Sequence, residues 1–354
     1  GARAAAAALT ARGARALTLA EAEEWARGTE EDREPVDGLL SLLPDAAATL
    51  RLLHVLADER DPAPGARLWS LTRGAVAAAP DDLPPRPELA EVWGLGRVAA
   101  LEHPERWGGC VDLPPDPATV DWERLCALLA DGTEDQVALR APGLLTRRLV
   151  PAPTSTGAGE PELRGTVLVT GGTGALGARV ARWAAGHGAE RLILTSRRGP
   201  EAPGAAALHA ELAALGTTPL IVACDVADRD ALAALLSEHP VDAVFHAAGT
   251  APSAPLAELD PDGLAAAGRA KVQGARHLHD LLAHRPLDAF VLFSSISGVW
   301  GSGGLGAYAT ANSHLDALAE LRRAQGLAAT SVAWGPWGES GMAAGDAAEG
   351  LRRR

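Results

Sequence analysis

The sequence predicts an α/β protein that consists of two subdomains, each built on a parallel β-sheet. Three observations lead to this prediction. Apolar runs alternate with helical patterns in the second half, a glycine-rich turn follows the first of those runs, and the first half repeats the apolar frame of the second. Strands of a parallel sheet form continuous apolar runs because helices cover both faces of the sheet.

The first half resembles a degenerate repeat of the second. A helical pattern opens the chain at residues 4–12. Further on, residues 35–41 resemble 240–246, and residues 50–74 resemble 276–298. The copy keeps the hydrophobic frame but has no glycine loop, no lysine and no tyrosine.

Leu71 in the first half stands where the second half has Ser295. We therefore expect the first half to be structural, and a second, degenerate active site there is the alternative. A run of proline, threonine, serine and glycine at residues 151–161 has no apolar periodicity and predicts a linker. The expected parts are a first subdomain, a linker and a second subdomain at residues 1–150, 151–163 and 164–354.

The second subdomain alternates strands and helices at a regular spacing. Its six apolar runs are five to seven residues long, as is typical of strands. The predicted strands cover residues 166–170, 191–195, 220–224, 242–246, 289–295 and 330–334. The predicted helices cover residues 175–185, 205–215, 228–237, 261–282 and 307–324. Strands joined by crossover helices predict a doubly wound parallel sheet.

The bulk composition argues against several classes of protein. The 32 basic and 45 acidic residues give a net charge of −13 with no basic stripe, which argues against a nucleic-acid partner. No run approaches the ~20 apolar residues of a membrane span, and no secretion signal is present, so we expect a cytoplasmic protein. The three cysteines lie far apart without a CxxC motif, which predicts neither a disulfide framework nor a metal site.

The chain contains one lysine, Lys271, and one tyrosine, Tyr308. Alanine, glycine, proline and arginine dominate the composition. We therefore expect lysine and tyrosine to be kept only at positions where no other residue can replace them. Arginine cannot replace a compact, tunable ammonium, and no other side chain offers a phenol. We therefore expect both residues to be functional, with chance retention on the surface as the alternative.

A glycine-rich turn at residues 170–177 joins the first strand of the second subdomain to its first helix. Its glycines allow a tight turn, the approach of a pyrophosphate and close packing of the helix on the sheet. The phosphates would lie at the positive helix N-terminus. We therefore expect a catalytic Rossmann-like subdomain, preceded by a degenerate, structural Rossmann-like subdomain. The predicted cofactor contacts in this turn are Gly171, Thr173, Gly174, Leu176 and Gly177.

The end of the second strand indicates which cofactor binds. NAD-selective folds have an acidic residue here, whereas Ser196 and Arg197 can bind a 2′-phosphate through charge-assisted hydrogen bonds. We therefore expect NADPH, and the alternative is that the arginines here are only surface residues. Asp225, after the third strand, is expected to reach the adenine amino group. Further cofactor contacts are predicted at Val226, Ala247 and Gly249.

The spacing around Tyr308 resembles the short-chain dehydrogenase/reductase superfamily. Ser295 lies thirteen residues before this tyrosine and Asn312 four residues after it. Most of the superfamily has lysine at the place of Asn312. In ketoreductase domains of modular type I polyketide synthases, asparagine takes that place and the lysine comes from the preceding helix, in a Lys-Val-x-Gly context. Residues 271–274 read Lys-Val-Gln-Gly, so the chain resembles this family over nearly its whole length.

The resemblance implies NADPH-dependent reduction of a β-ketoacyl thioester to a β-hydroxyacyl thioester. Tyr308 would donate a proton to the carbonyl oxygen, and Ser295 would hydrogen-bond that oxygen. Lys271 would lower the pKa of the phenol and hold the ribose hydroxyls. Asn312 would orient Lys271 or an ordered water. The implied partners are an acyl carrier protein that carries the substrate and the other domains of the synthase.

Two positions in this family indicate the handedness of the product. B-type enzymes have Leu-Asp-Asp where this chain has Ala-Pro-Ser at residues 251–253, and A-type enzymes have tryptophan where this chain has Trp300. We therefore expect an A-type enzyme that gives the L-β-hydroxyl, and Trp300 as mere core filling is the alternative. The A2 subtype has histidine at the position of Leu305, so A1 is favoured. Other expected substrate contacts lie in a lid at about 335–354, at Trp337 and Met342.

Two other functions stay open. A non-catalytic scaffold domain would have lost the lysine, serine or tyrosine, and this chain keeps all three. A sugar-nucleotide epimerase or dehydratase needs lysine four residues after tyrosine and usually selects NAD, so Asn312 and Arg197 argue against it. Relatives usually have strands before the first helix and a helix and strand beyond the lid. We expect these segments to be disordered, missing or cut away here.

Overall fold

The computed structural model describes residues 2–17, 36–43, 45–57, 63, 65–152 and 162–337. The first half contains helices α1 (Ala2–Thr10), α2 (Ala46–Ala57), α3 (Pro87–Glu102) and α4 (Trp122–Asp131). Its strands are β1 (Gly38–Ser41), β2 (Arg67–Arg73), β3 (Trp107–Leu113), β4 (Gln136–Arg140) and β5 (Gly143–Thr146).

The second half has the predicted alternation of strands and helices. Its strands are β6 (Thr166–Thr170), β7 (Arg191–Ser196), β8 (Thr218–Ala223), β9 (Ala243–His246), β10 (Ala289–Ser295) and β11 (Thr330–Trp334). Its helices are α5 (Ala175–Gly186), α6 (Ala205–Ala214), α7 (Arg229–Glu238), α8 (Pro261–Gly268), α9 (Gly274–Leu282), α10 (Ser297–Trp300) and α11 (Gly306–Ala324). A π-helical turn, Arg269–Gln273, joins α8 to α9, where the sequence predicted one uninterrupted helix.

The predicted doubly wound sheet is confirmed in the second half. Six parallel strands lie in the order β11-β10-β9-β6-β7-β8, so the strand order reverses at β6. Open α/β sheets bind ligands at such a switch point, outside the carboxyl ends of the strands. Strand β8 begins two residues before its predicted start because Thr218 and Pro219 join it ahead of the apolar run. Proline is tolerated there since β8 lies at the sheet edge.

The first half repeats part of this topology. Its sheet has the order β1-β2-β3-β4-β5, in which the first four strands are parallel and β5 is antiparallel. The succession β1-α2-β2-α3-β3 corresponds to β9-α8/α9-β10-α11-β11, with the same neighbours in each sheet. The repeat seen in the sequence therefore has a counterpart in the fold. Residues 153–161 of the expected linker lie outside the described residues.

Helices join the two halves. Helix α3 of the first half packs along α11 of the second, and α2 and α8 flank this pair. One apolar core contains buried residues from both halves, among them Leu50, Trp93, Leu256 and Ala309. The helices approach closely at Gly94, where a Cβ atom would lie 2.7 Å from the carbonyl oxygen of Ala309. In the described part of the chain, no helix is long and apolar enough to cross a membrane.

Candidate active site

The carboxyl ends of β6, β9 and β10 lie side by side at the switch point. Thr170 at the end of β6 pairs with His246 at the end of β9, and β10 ends at Ser295. Helix α11 starts eleven residues after Ser295 and brings Tyr308 to the same place. The fold thus gathers at one edge polar residues that lie far apart along the chain.

The structure places Lys271 next to Tyr308. The Nζ atom of Lys271 lies 5.3 Å from the centroid of the Tyr308 ring, although 37 positions separate the two residues in the chain. Both side chains are buried, with 5% and 9% of their surface exposed. A buried ammonium beside a buried phenol needs a functional explanation because Lys is almost never fully buried without a partner.

A π-helical turn presents Lys271 to this site. Turns of this kind are frequent at functional sites because they change the direction of side chains within a helix. The Nε2–H of His246 donates to the carbonyl oxygen of Lys271 at 2.8 Å, so Nδ1 accepts from the hydroxyl of Thr170, also at 2.8 Å. Burial lowers the pKa of His246 to about 4, which keeps the ring neutral. Strands β6 and β9 are thereby tied to the turn that carries the lysine.

The ammonium of Lys271 donates a hydrogen bond to the carbonyl oxygen of Phe293 in β10. Burial lowers the pKa of Lys271 to about 8, and the carboxylate of Asp316 opposes this shift. The side chain is therefore mainly charged at neutral pH and loses its charge in the mildly alkaline range. Its remaining N–H bonds are available to a ligand.

The pKa of Tyr308 is raised in this structure. Burial is the largest cause, and hydrogen bonds with the side chains of Asn312 and Ser295 act in the opposite direction. Lys271 is not among the causes of this shift, and the expected net lowering of the phenol's pKa is not seen here because burial of the phenol dominates.

Ser295 and Asn312 lie around the phenol. The hydroxyl of Ser295 accepts the N–H of Ser297 at 3.2 Å, and the amide of Asn312 donates to the carbonyl oxygen of Tyr308 at 2.8 Å. The Oδ1 atom of Asn312 is buried and has no hydrogen-bond partner among the described residues. Within the same part of the chain, no hydrogen bond joins Asn312 to Lys271, which leaves the other expected role of Asn312, to orient an ordered water.

The glycine-rich turn has the shape that a pyrophosphate requires. Gly171 adopts φ of +66°, and a Cβ atom on it would lie 2.9 Å from Ala248 Cα. A Cβ atom on Gly177 would lie 2.2 Å from the carbonyl oxygen of Gly171, so the helix can pack on the turn only with glycine there. Gly174 is the N-cap of α5 and provides no side-chain cap. The first N–H groups of α5 are thus free for an anion.

The other predicted cofactor residues of the turn lie where expected along the chain. Thr173 is half-buried in the turn, and Leu176 is half-buried on α5, where it packs against the core of the sheet. Arg197 is exposed at the end of β7, and Ser196 accepts the N–H of Gly199 at 3.0 Å. Ser196 and Arg197 thus lie at the carboxyl end of β7, the strand that pairs with β6.

Asp225 already has protein partners. Its carboxylate forms an ion pair with Arg269 at 2.9 Å and accepts the N–H of Ala227 at 3.0 Å. Burial acts to raise its pKa, but these hydrogen bonds prevail and lower it. The neighbouring Val226 is buried and packs against Gly274. A Cβ atom on Gly274 would lie 2.7 Å from Cγ2 of Val226, so glycine leaves the space that this side chain fills.

Ala247 and Gly249 follow β9. Ala247 is half-buried and donates its N–H to the carbonyl oxygen of Thr170 at 3.2 Å. Gly249 is exposed, and a Cβ atom on it would lie 3.6 Å from the Lys271 side chain. The backbone at Gly249 therefore passes close to Lys271.

The expected substrate contacts lie in the segments before α11 and after β11. Trp300 is 53% exposed, although it is a large apolar side chain, and Leu305 is half-buried just before α11. Trp337 is half-buried, and its ring centroid lies 5.0 Å from that of Trp334. Met342 and most of the expected lid lie outside the described residues.

Three residues of the site were not predicted from the sequence. His246 holds the turn that carries Lys271, Phe293 supplies a carbonyl oxygen to the lysine, and Asp316 acts on it through its charge. A histidine as the last residue of an apolar strand was the one available signal, because a strand end at the switch point faces the ligand cleft.

The comparisons with known proteins agree with this geometry. A family model described as "KR domain" matches residues 165–339, and one described as "Polyketide synthase extender module SpnB, Rossmann fold domain" matches residues 2–149. The chain is 52% identical over 344 residues to the erythronolide synthase EryA3 of Saccharopolyspora erythraea. This match covers 96% of the chain and 11% of the synthase, so the chain corresponds to a small part of that protein.

Solved structures are similar over the full chain. An A-type ketoreductase from a modular polyketide synthase is 48% identical with a TM-score of 0.88, and the match covers 100% of this chain and 80% of that one. A C2-type ketoreductase from a modular polyketide synthase is 42% identical with a TM-score of 0.87, covering 99% and 82%. Fold, site geometry and these matches lead to one assignment: the chain belongs to the ketoreductase domains of modular polyketide synthases.

Proposed function

We propose that this chain reduces the β-carbonyl of an acyl thioester held on an acyl carrier protein, with NADPH as the reductant. The observation that carries the proposal is the contact between the buried Lys271 and Tyr308 beside the glycine-rich turn. The proposed partners are the carrier protein and the other domains of a synthase. We further propose that residues 1–150 are a structural subdomain and that residues 164–354 are the catalytic one.

Tyr308 is the proposed proton donor. Its raised pKa keeps the phenol protonated at neutral pH, which is the form that can donate. When bound, NADPH supplies the hydride that reduces the carbonyl carbon. The phenol proton goes to the carbonyl oxygen, which becomes the β-hydroxyl, and Tyr308 is left as a phenolate.

Lys271 and Ser295 support this proton transfer. The ammonium, 5.3 Å from the ring centroid, stabilises the phenolate that forms, because an opposite charge nearby favours the charged form. We expect the Ser295 hydroxyl to hydrogen-bond the carbonyl oxygen as negative charge develops on it. The unpartnered Oδ1 of Asn312 is free to accept a hydrogen bond from an ordered water that returns the proton.

The preference for NADPH rests on the end of β7. Ser196 and the exposed Arg197 stand there in place of an acidic residue. A carboxylate at this position would repel a 2′-phosphate, whereas a guanidinium binds it through charge-assisted hydrogen bonds. Arg269 lies nearby, paired with Asp225, and adds to the positive potential.

We propose an A-type enzyme of the A1 subtype that gives the L-β-hydroxyl. Overall similarity cannot decide this, because an A-type and a C2-type relative match the chain with nearly equal TM-scores. The proposal rests instead on the exposed indole of Trp300, on Leu305 in place of histidine, and on the absence of Leu-Asp-Asp at residues 251–253.

The test is reduction of a racemic 2-methyl-3-oxoacyl thioester, with NADPH and NADH compared and all four stereoisomers of the product resolved. We expect turnover with NADPH, an L-configured hydroxyl and an unepimerised methyl group. Tyr308→Phe should lower kcat by about 10²–10⁴-fold while the fold survives, since general acid catalysis contributes this much. Undiminished turnover of Tyr308→Phe would refute the mechanism, and tight NADPH binding without turnover by the unaltered chain would favour the scaffold alternative.

A further inference from the structure

Two loops of the second half lie against each other at the start of α11, the helix that carries Tyr308. One follows β9 and contains residues 251–256, and the other is the segment 301–305 before α11. The N–H of Ala254 donates to the carbonyl oxygen of Gly304 at 2.9 Å, and Ala254 forms an isolated parallel bridge with Leu305. The loops therefore behave as one joined unit, which we call the paired loops (residues 251–256 and 301–305).

Glu102, at the end of α3 in the first half, holds both members of the paired loops. One of its carboxylate oxygens accepts the N–H of Leu256 at 2.6 Å, and the other accepts the N–H of Gly304 at 2.6 Å. Hydrogen bonds to an ionised acceptor are shorter and about twice as strong as neutral ones. A single side chain from the other half of the molecule thus fixes the distance between the two loops.

Leu256 is held by the first half at both of its backbone polar groups. Besides the N–H that Glu102 accepts, its carbonyl oxygen accepts a hydrogen bond from Nε2 of His54 in α2 at 2.7 Å. Its side chain is fully buried in the core shared by the two halves. A Cβ atom on Gly306 would lie 2.3 Å from Cδ2 of Leu256, so this side chain rests on the first turn of α11. A shift of the loop would move the start of the helix that carries Tyr308.

The neighbouring turn with Trp300 is held from the same side. Arg97 in α3 donates to the carbonyl oxygen of Gly298 and to the hydroxyl of Ser313 at 3.0 Å. Arg147 donates to the carbonyl oxygen of Val299 at 2.6 Å. Side chains of the first half therefore hold the paired loops and the neighbouring turn at Gly298 and Val299.

We propose that Glu102 is a positioning residue through which the first half sets the shape of the substrate entrance. This inference rests on the proposed function, because it assumes that the acyl chain reaches Tyr308 past the paired loops. The bonds of Glu102 end on the paired loops, whereas the glycine-rich turn is carried by β6 and α5. Glu102 acts on the orientation of the acyl chain and not on the cofactor.

Glu102→Gln tests the proposal with little change of shape. The amide keeps one acceptor oxygen and turns an NH2 group toward the other loop, so one of the two N–H groups loses its partner. We expect kcat/KM for the racemic 2-methyl-3-oxoacyl thioester to fall about tenfold, the size expected for one unpaired buried donor. The fall should lie mainly in KM, the minor stereoisomers should increase, and the Kd for NADPH should stay unchanged.

Glu105→Gln is the matched control, since Glu105 lies three residues further along and is exposed. Amide hydrogen exchange at Ala254, at Leu256 and at residues 304–306 gives a second readout that does not need activity. Exchange should be faster in Glu102→Gln and unchanged in Glu105→Gln. Equal exchange in the two variants would refute the positioning role even if the unaltered chain proved inactive.

The activity data separate positioning from mere stability. A lower melting temperature with an unchanged ratio of stereoisomers would show a structural role only and would overturn the proposal. Faster exchange in Glu102→Gln together with an inactive unaltered chain would leave the positioning intact and refute the proposed function instead.

Discussion

The two halves of this chain share a topology but use their buried polar residues differently. In the first half, the buried carboxylate of Asp112 accepts hydrogen bonds from Thr72 at 2.7 Å, from Ala75 N–H at 2.8 Å and from Gly74 N–H at 3.2 Å. It also pairs with Arg140 at 2.8 Å. Every acceptor site of this carboxylate is occupied, so nothing is left for a ligand.

The corresponding edge of the second half leaves polar groups with spare capacity. Lys271 uses one N–H bond on Phe293, and Oδ1 of Asn312 has no partner among the residues described. Buried polar groups normally have their hydrogen bonds satisfied, and those that do not are candidates for function. The comparison teaches that the two edges differ in their free hydrogen-bonding capacity. The polar groups at the structural edge of the first half use all of it, whereas those at the active edge of the second half keep some for a ligand.

The largest expected effect comes from Lys271→Met. This change removes the ammonium but keeps the length of the side chain, so kcat should fall by about 10²–10⁴-fold, as for loss of an acid–base group. Steady-state kinetics with a β-ketoacyl thioester measure the change. Arg229→Met changes an exposed residue of α7 outside the site, so it is the control and should retain kcat within a small factor. A Lys271→Met variant with kcat near that of the unaltered chain would contradict the functional role of Lys271, on which the comparison of the two halves depends.

The same variant has a pH-dependent effect on stability. The folded pKa of Lys271 is about 8, below its ordinary value of 10.5, so the unfolded state binds more protons between these values. Stability of the unaltered chain therefore rises with pH across this window relative to Lys271→Met. Below pH 8 the variant should be the more stable of the two, because it lacks a charge that is costly to bury. Urea unfolding across the window measures this, and a constant difference would contradict the assignment.

The next largest effect is expected at the edge of the first-half sheet where the carboxylate of Asp112 has all its hydrogen bonds satisfied. Asp112→Asn leaves the charge of Arg140 partly uncompensated and should lower the free energy of unfolding by about 3–5 kcal/mol, the cost of breaking a buried ion pair. The folded fraction should keep its kcat, because Asp112 supports only the first half. Asp81→Asn changes an exposed carboxylate on the same side and should be neutral. Loss of kcat at full folding would show that the first half takes part in the chemistry.

The sequence was sufficient for the local structure and insufficient for the contacts between halves. Apolar runs and glycine turns predicted the strands because each signal lies within a few residues of the element. The π-helical turn at Lys271 was missed because it depends on His246, 25 positions away. The bonds from Glu102 to Leu256 and Gly304 span 154 and 202 positions, and no local pattern reports such contacts. The pairing of Lys271 with Tyr308 came from a family resemblance, not from periodicity.

The smallest expected effect sharpens the comparison at the surface where the halves meet. A Cβ atom on Gly94 would lie 2.7 Å from the carbonyl oxygen of Ala309 and 2.8 Å from Cα of Thr310. Both atoms belong to the backbone of α11, so α3 and α11 must move apart in Gly94→Ala. Overpacking of this kind costs about 1–3 kcal/mol. We therefore expect a lower melting temperature together with a lower kcat, since Tyr308 precedes these residues directly.

Gly186→Ala separates this effect from helix propensity. Gly186 ends α5, and nothing lies within 4 Å of a Cβ atom there. Alanine favours a helix over glycine by up to about 1 kcal/mol, so this control should be neutral or slightly stabilising. If Gly94→Ala had the kcat of Gly186→Ala and only a lower melting temperature, the first half would act as a support alone. A matched fall in both quantities would mean that the first half also sets the geometry of the candidate active site in the second half.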